Sequence, residues 1–300
     1  MTISYRIDER TDVVKATTNP PFPKSVKIEV TSRCNYKCMC CASHKGLREH
    51  GDMPYGLFSR IVTDCVAAGA EDIGLFLLGE PLVLGNDLGM YVRKAKDAGA
   101  KNVFITTNGS LATPQLMYRL WYEGLDSVKF SINADNSGDY SRQTGGHHLE
   151  VVMQNLLWLS WWKKWAKKDR PEISVSMIWN EDKIAEMAQF DHSIRPYVDE
   201  FYYLPLYNQA GFCEDGCAGN PGRLDNMREP VPCWSLFNQA HITWDGWMTA
   251  CSFDHDGRFK IADLSKTSVD GAWNHRQFHT LREAHLNGTW SNTVCRECLS

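Results

Sequence analysis

Residues 25–41 read SVKIEVTSRCNYKCMCC, a β-branched apolar run that leads into a loop with four cysteines. The alternation of apolar and polar residues over 25–30 is typical of a strand. We name residues 34–41 the cysteine loop. A loop that follows a parallel strand lies at the edge of the sheet where α/β folds build their sites. The stretch therefore predicts a thiol-rich functional site after the first strand.

Strand-like and helix-like segments alternate outward from this stretch as far as residue 206. Short apolar runs separated by helical patterns of roughly ten residues indicate βα units and a parallel sheet. Six such units predict an α/β fold with a partial (β/α)6 TIM-like barrel. The predicted strands are 25–30, 72–78, 102–107, 127–133, 172–178 and 200–206. The predicted helices are 55–68, 87–98, 114–122, 149–168 and 184–190.

The pattern changes after residue 207, where Gly, Pro, Asn and charged residues indicate a linker. A hairpin is predicted at 241–253 with its turn at Asp245-Gly246, and a helix at 269–286. These patterns predict that the chain has three parts. They are an N-terminal extension (1–24), the partial barrel (25–214) and a small C-terminal domain (215–300).

Composition narrows the possible partners. The chain has 32 basic and 36 acidic residues, a net charge of −4, so nucleic acid is not an expected partner. The N-terminus lacks an apolar signal region, and no apolar run approaches the ~20 residues that span a bilayer. We therefore expect a cytoplasmic protein with no membrane partner. Eleven cysteines in a reducing compartment indicate metal binding, redox chemistry or core packing.

Three cysteines of the cysteine loop have a spacing that suits an iron–sulfur cluster. Cys34, Cys38 and Cys41 are arranged C-x3-C-x2-C, and three thiolates on one loop can hold three irons of a [4Fe–4S] cluster. The fourth iron would then lack a protein ligand and be open to chemistry. The alternative is a zinc loop, in which Cys40 or His44 supplies a fourth ligand.

At this point the sequence resembles a known family. CNYKCMCC after a first strand resembles the signature loop of the radical S-adenosylmethionine (radical SAM) enzymes, and LLGEPL (77–82), TTNGSL (106–111) and FSINA (130–134) resemble motifs that follow the next three strands. One departure is Cys40, where the family usually has an aromatic residue or Met near adenine. The resemblance implies that the cofactor is bound by Gly79, Glu80, Pro81, Thr107, Asn108, Ser131 and Asn133.

The same resemblance implies a mechanism. In the family, the open iron chelates S-adenosylmethionine, and one electron cleaves it to methionine and a 5′-deoxyadenosyl radical. That radical abstracts a hydrogen atom from the substrate. The protein positions the reactants and excludes water, while the cofactor carries the difficult chemistry. An external one-electron reductant, flavodoxin- or ferredoxin-like, is the implied partner.

Four further cysteines lie near the C-terminus. Cys233, Cys251, Cys295 and Cys298 are spaced C-x17-C, then 43 residues, then C-x2-C. This order resembles the twitch domain, the short form of the SPASM domain, and implies one auxiliary [4Fe–4S] cluster with four cysteine ligands. Two [4Fe–4S] clusters are thus expected in all. A structural zinc site with the same four ligands is the alternative.

Cys213 and Cys217 follow the sixth strand, near the expected mouth of the active site. They are candidate hydrogen-atom donors to a substrate radical; the alternatives are that they ligate iron or have no function. A thiol that returns a hydrogen atom would make the enzyme an epimerase. Without such a thiol, an auxiliary cluster that takes the substrate's electron would make it a dehydrogenase.

The substrate is only implied by the resemblance. Twitch enzymes act on sugars, cyclitols and aminoglycoside-like molecules, and only 24 residues precede strand one, which favours a small polar substrate over a peptide. A peptide- or protein-modifying SPASM enzyme is the second interpretation. A non-catalytic iron–sulfur or zinc scaffold is the third, and failure to cleave the cofactor under reduction would distinguish it.

Overall fold

The structure is a computed structural model that describes residues 17–146, 148–204, 209–212 and 232–299. Its described strands form a single sheet in the order β6-β5-β4-β3-β2-β1-β7-β8-β9. The first six pair in parallel throughout, which confirms the predicted partial barrel. These strands are β1 (Ser25–Ile28), β2 (Asp72–Gly74), β3 (Asn102–Thr107), β4 (Ser127–Ser131), β5 (Glu172–Ile178) and β6 (Glu200–Leu204).

Helices connect successive strands and cover one side of the sheet. They are α1 (Tyr55–Ala67), α2 (Leu88–Asp97), α3 (Pro114–Glu123), α4 (Ser137–Thr144), α5 (Leu149–Trp165) and α6 (Ile184–Ile194). Helix α4 is absent from the sequence prediction. Short 3-10 helices lie at Ala42–Lys45, Pro81–Asp87, Glu181–Lys183, Arg195–Tyr197 and Trp290–Asn292.

Helix α1 illustrates why these segments fold as they do. Phe58, Ile61, Val62 and Cys65 recur at helical spacing, and all four are fully buried. Such a stripe packs one face of a helix against the sheet. The opposite face of α1 is partly or fully exposed, so apolar burial fixes the orientation of the helix.

The C-terminal strands extend the barrel sheet. Strand β7 (Gln239–Ile242) pairs in parallel with β1, and β8 (Trp247–Thr249) and β9 (Lys260–Asp263) continue it antiparallel. The turn between β7 and β8 contains Gly246 at φ +86°, which confirms the predicted hairpin. The C-terminal part is therefore joined to the barrel through the backbone hydrogen bonds of β1.

The predicted helix at 269–286 is wrong in one respect, because the segment forms two helices. These are α8 (Val269–Trp273) and α9 (Arg276–Leu286), and the helices α7 (Ser235–Asn238) and α10 (Arg296–Leu299) flank them in the chain. His275 has an extended backbone, and its side chain accepts a hydrogen bond from the amide of Gln277. A residue that caps a new helix in this way ends the preceding one.

Buried aromatic and cationic side chains hold the C-terminal helices to the N-terminal segment. The indole Nε1 of Trp273 donates to the carbonyl oxygens of Pro20 and Pro21, at 3.0 and 3.1 Å. The guanidinium of Arg282 lies 4.2 Å from the Trp273 ring centroid, and its Nε donates to Leu236 O at 2.9 Å. Both side chains are fully buried, so they join the two ends of the described chain.

Candidate active site

The cysteine loop is closed at its base by a short bridge. Thr31 and Asp52 form an isolated antiparallel bridge, and Thr31 Oγ1 donates to Asp52 Oδ1 at 2.6 Å. Arg33 donates to both oxygens of the same carboxylate, at 2.8 and 2.7 Å. Bidentate pairs of this kind fix geometry as well as charge. The loop therefore leaves β1 and returns toward α1 through a defined neck.

Helix α4 holds the middle of the cysteine loop. The amides of Lys37 and Met39 donate to the carbonyls of Thr144 and Gln143, at 3.2 and 2.8 Å. The ring of Tyr36 is buried, and a Cβ on Gly146 would lie only 2.9 Å from it. Helix α4, which was not predicted from the sequence, therefore fixes the cysteine loop, which was.

Thiols in the cysteine loop lie within electrostatic reach of one another, and Cys34 lies within electrostatic reach of Glu80. Burial raises the pKa of Cys34 to about 11, and the charges of Glu80 and Cys41 add to this rise. Burial, then Cys41 and Cys40, raise the pKa of Cys38. Metal binding must displace such protons, as it does in thiolate sites generally. Three thiols on one loop, within electrostatic reach of each other, fit the donor set of a cluster with one open iron.

A backbone amide also points at one of these sulfurs. The amide of Tyr36 donates to Cys34 Sγ at 3.4 Å. The same contact recurs in the C-terminal part, where the amide of Phe253 donates to Cys251 Sγ at 3.3 Å. Hydrogen bonds to cluster sulfurs are one of the means by which proteins set reduction potentials. Both cysteine regions therefore have a feature that suits iron–sulfur ligation.

Glu80 joins the loops that follow β1, β2 and β3. Its carboxylate is buried and accepts hydrogen bonds from Leu82 N at 3.0 Å, Thr107 Oγ1 at 2.8 Å and Asn108 N at 2.7 Å. Its own amide donates to Arg33 O at 2.9 Å. Burial raises the pKa of Glu80 to about 7, against the opposing effect of these donors. Glu80 and Thr107 thus support the loop framework, and their contact with the cofactor stays a prediction.

Asn35 and Ser110 complete this framework, and the sequence analysis missed both. Asn108 Nδ2 donates to Asn35 Oδ1, and Asn35 Nδ2 donates to Ser110 Oγ, each at 2.9 Å. Ser110 Oγ donates to Asn108 Oδ1 at 2.7 Å. Two features of the sequence could have indicated them: Asn35 lies between two cysteines, and Ser110 lies within TTNGSL. These side chains connect the cysteine loop to the end of β3.

Gly79 lies against the chain that enters the cysteine loop. A Cβ at this position would lie 2.2 Å from Thr31 O and 2.9 Å from Arg33 O. Real Cβ atoms do not approach backbone oxygens this closely, so only glycine permits the contact. Pro81 follows as a buried residue at the start of the 3-10 helix. The glycine of the LLGEPL motif is therefore required by packing.

We expect Gly79→Ala to lower the free energy of unfolding by about 1–3 kcal/mol, the usual range for overpacking. It should also lower the iron content after reconstitution, because the cysteine loop must move. Gly56→Ala is the matched control, since Gly56 lies in α1 with open space around its Cβ position. Thermal unfolding and iron assays on both variants test this expectation. Equal stability and equal iron in both would contradict the close approach.

Ser131 and Asn133 lie where β4 ends. Asn133 Oδ1 accepts a hydrogen bond from Ile178 N at 3.2 Å, so its amide oxygen holds the end of β5. Ser131 is in register with Ser176 on β5 and is partly exposed. Their contact with the cofactor ribose stays a prediction. Both are on the same side of the sheet edge as the preceding loops.

The four C-terminal cysteines surround one cavity. Cys233, Cys251, Cys295 and Cys298 line it together with His285, and we name it the four-cysteine cavity. Within the described ranges, no three His, Cys, Asp or Glu side chains are grouped closely enough for a single metal ion. The amide of Cys298 donates to Cys295 O at 3.1 Å, which turns the C-x2-C segment toward the cavity. Four thiols around one cavity fit the ligand set of an iron–sulfur cluster.

A buried ion pair connects the two cysteine regions. Glu29, at the end of β1, is fully buried and pairs with Arg48, which follows the cysteine loop. The Glu29 carboxylate also accepts from Leu78 N at 3.3 Å and from Trp244 N, in the C-terminal hairpin, at 3.1 Å. The ring of Trp244 covers Gly51 so closely that a Cβ there would lie 2.3 Å away. One carboxylate therefore holds the segment after the cysteine loop, the loop after β2 and the C-terminal hairpin.

Cys40, Cys213 and Cys217 are the remaining candidate residues. Cys40 is partly exposed, and its charge is one of the factors that raise the pKa of Cys38. Cys213 and Cys217 lie outside the described residues, as does the predicted boundary at 214/215. Phe212, directly before Cys213, is held by Lys45 Nζ, which donates to its carbonyl at 2.8 Å.

Family comparison agrees with this arrangement. A model of the radical SAM superfamily matches residues 28–160, and a model of the SPASM iron–sulfur cluster-binding domain matches residues 233–299. The chain belongs to the radical SAM superfamily and its SPASM subgroup. Membership in this superfamily implies S-adenosylmethionine and iron–sulfur chemistry. The recognition made from CNYKCMCC and the C-terminal cysteines is confirmed.

Curated relatives of this radical SAM protein have several activities. A GTP 3′,8-cyclase from Lactiplantibacillus plantarum is 26% identical over 266 residues, 76% of this chain and 79% of the relative. A tungsten-containing aldehyde ferredoxin oxidoreductase cofactor-modifying protein from Pyrococcus furiosus is 29% identical over 168 residues, 55% of this chain and 46% of the relative. The names of these two relatives indicate different substrates.

Two solved radical SAM structures share the fold. BtrN in complex with AdoMet and 2-DOIA matches with a TM-score of 0.62 and 17% identity, covering 94% of each chain. SuiB of Streptococcus suis bound to precursor peptide SuiA matches with a TM-score of 0.71 and 13% identity, covering 88% of this chain and 67% of SuiB. In the part of the chain that the structure describes, no helix is long and apolar enough to cross a membrane.

Proposed function

We propose that this radical SAM enzyme dehydrogenates or epimerises a small polar substrate, such as a sugar, cyclitol or aminoglycoside-like molecule, with an auxiliary [4Fe–4S] cluster. The observation that carries the proposal is the four-cysteine cavity, because an electron-transfer cluster needs four thiolate ligands. We assign a second [4Fe–4S] cluster to Cys34, Cys38 and Cys41. The resulting division is a partial barrel at 25–214 and an auxiliary domain at 215–300.

When bound, S-adenosylmethionine and the cluster with an open iron supply the radical that abstracts hydrogen from the substrate. The residues of this chain bind and orient these groups. Gly79 lets the loop after β2 approach the cysteine loop, and Glu80 fixes that loop to the end of β3. Ser131 and Asn133 are proposed to contact the cofactor ribose. A flavodoxin- or ferredoxin-like protein is the proposed electron source.

The proposed outcome depends on where the substrate's electron goes. The four cysteines of the auxiliary site would hold a cluster that accepts it, which favours dehydrogenation. Cys213 or Cys217 would instead return a hydrogen atom, which favours epimerisation. The match to BtrN, which was solved with AdoMet and 2-DOIA, covers 94% of both chains and supports a small substrate.

A peptide substrate is the second candidate, and the match to SuiB favours it. SuiB was solved with its precursor peptide, and its TM-score of 0.71 exceeds that of BtrN. The relative named GTP 3′,8-cyclase adds GTP to the set of substrates to be screened. Product analysis after incubation with sugars, cyclitols, GTP and peptides distinguishes these candidates.

We expect Cys233→Ala or Cys251→Ala to retain uncoupled cleavage of S-adenosylmethionine and to lose turnover of the substrate. The reason is that the cysteine loop, which supports cleavage, keeps its ligands while the auxiliary site loses one of its four thiols. The two rates are measured separately, as 5′-deoxyadenosine and as product. Cys65→Ala is the matched control, because Cys65 is fully buried in α1. Undiminished turnover in Cys233→Ala and Cys251→Ala would exclude a redox role for this site.

A further inference from the structure

The inner face of the barrel sheet is partly exposed and carries charge. Along β1 and β3 the burial alternates, so that Val26, Ile28, Val103 and Ile105 are fully buried against the helices while the residues between them retain exposure. Alternate residues of a strand point to opposite faces. The partly exposed positions of successive strands therefore line one space, which we name the lumen. Its lining includes Lys27, Phe76, Phe104, Thr106, Lys129, Ser131 and Tyr202.

Lys129 lies in the middle of β4 on this inner face. Its neighbours along the strand, Val128 and Phe130, are fully buried on the opposite face. Lys129 is in register with Thr106 on β3 and Ser174 on β5. Its Nζ lies 6.0 Å from the ring centroid of Tyr202 on β6. The ammonium thus lies near an aromatic ring, and the residues in register with Lys129 carry hydroxyl groups.

Among the described residues, no carboxylate lies within ion-pair distance of Lys129 Nζ. Burial alone lowers the pKa of Lys129 to about 8, with no charged group contributing. An ammonium that is removed from water without a partner destabilises the folded chain. Such a residue is retained where a ligand supplies the missing charge.

A second polar group in the lumen points to the same ligand. Ser176 is 1% exposed, and its Oγ has no hydrogen-bond partner in the structure. Ser176 is two residues beyond Ser174 on β5, and it is in register with Ser131 and Tyr202. It therefore lies on the inner face, diagonal to Lys129. A buried hydroxyl without a partner is rare in folded proteins, and a bound acceptor would satisfy it.

We propose that Lys129, together with the Ser176 hydroxyl, binds an anionic group of the substrate, a carboxylate or a phosphate, within the lumen. The inference rests on the proposed function, because it names a chemical feature of that substrate. Ser131, assigned to the cofactor, lies two residues nearer the strand end, roughly 7 Å along β4. The substrate would extend from the cofactor into the lumen. A substrate with an amino group at that depth would be repelled by Lys129.

Chemical labelling of the reconstituted full-length protein tests this proposal without turnover. Pyridoxal 5′-phosphate with cyanoborohydride modifies neutral amines, and peptide mapping gives the rate at each lysine. Lys164 is the matched control, because it lies on the outer surface, where its Nζ donates to the carbonyl of Pro196 and lies over the ring of Tyr197. At pH 8 we expect Lys129 to react at least about tenfold faster than Lys164, because burial lowers the pKa of Lys129 to about 8 and leaves roughly half of its amine neutral.

Competition then identifies the ligand chemistry. Inorganic phosphate or acetate should slow the labelling of Lys129 about tenfold and leave the labelling of Lys164 unchanged. The anions are tested at up to roughly 0.1 M, because a single ion pair is weak. Chloride at equal ionic strength should leave the labelling rates of both lysines unchanged. Protection by phosphate alone or by acetate alone selects the class of anion. Ser176→Ala should reduce the protection several-fold while the chain remains folded.

Three results would overturn the proposal: equal labelling of Lys129 and Lys164, labelling that neither anion slows, and protection by chloride. Lys129→Met and Lys129→Arg give an independent readout, because phosphate should raise the Tm of wild type and Lys129→Arg and not that of Lys129→Met. Cleavage of S-adenosylmethionine is measured in parallel. Lost cleavage with intact protection rejects the proposed function alone, and intact cleavage without protection rejects the anion site alone.

Discussion

Replacing Cys34, Cys38 or Cys41 with alanine is expected to abolish reductive cleavage of S-adenosylmethionine. Each variant should lose about four iron atoms per chain from a total of about eight, because a cubane cluster does not survive with two protein ligands. The structure gives a reason why each of the three cysteines is required, since backbone hydrogen bonds to Thr144 and Gln143 fix the cysteine loop. A neighbouring thiol would have to distort this loop to act as a substitute.

Two further substitutions control this experiment. Cys65→Ala removes a buried thiol from α1, and Cys40→Ala removes the remaining thiol of the cysteine loop. Both should keep about eight irons and measurable cleavage. Retained cleavage in Cys34→Ala, Cys38→Ala or Cys41→Ala would exclude that residue as a ligand. A wild-type content of about four irons that falls to near zero in these variants would leave the four-cysteine cavity to zinc or a structural role.

Glu29→Ala is expected to lower the free energy of unfolding by about 3–5 kcal/mol, the range found when one partner of a buried ion pair is removed. The Glu29 side chain is 0% exposed and the Arg48 side chain 11%, so Arg48 would remain as a nearly buried, unpaired charge. The amides of Leu78 and Trp244 would also lose their acceptor. Chemical denaturation of the reconstituted protein measures the loss.

Glu71→Ala is the matched control for Glu29→Ala. Glu71 pairs with Lys24 and Lys101 at 2.9 and 3.2 Å, but the lysine side chains are 59% and 72% exposed. Surface pairs of this kind contribute up to about 1 kcal/mol. The double variant Glu29→Met with Arg48→Met should recover much of the loss, because it leaves no buried charge. If Glu29→Ala were no less stable than Glu71→Ala, the carboxylate would not hold the hairpin.

The features that could be predicted from the sequence are those that depend on residues close together in the chain. The six βα units follow from short apolar runs, and the cysteine spacing follows from neighbouring residues. Helix α4 was missed because its residues, SGDYSRQT, are mostly polar, and only Asp139, Tyr140 and Thr144 are buried. Its position depends on backbone bonds to the cysteine loop rather than on an apolar stripe. No periodicity reports such bonds.

Long-range contacts also escaped the sequence analysis. Glu29 looks like an ordinary polar position in a strand, and its partners lie 19 and 215 residues away, at Arg48 and Trp244. Parallel pairing of β7 with β1 has no pattern of its own, since the hairpin was identified only from its turn. The inward direction of Lys129 becomes apparent only after β4 is paired on both sides. The candidate site was therefore predicted by motif, and its supporting contacts were not.

The parallel pairing of β1 with β7 has a consequence for synthesis of the chain. β1 is made first, and one of its two edges is covered only when residues 239–242 have emerged. At 5–20 residues per second, the 214 residues that separate Ser25 from its partner Gln239 correspond to roughly 10–40 s. During that interval an apolar strand presents unpaired amides and carbonyls, the template on which chains aggregate. We therefore expect the exposed edge of β1 to be a site of aggregation in a nascent chain until residues 239–242 have emerged.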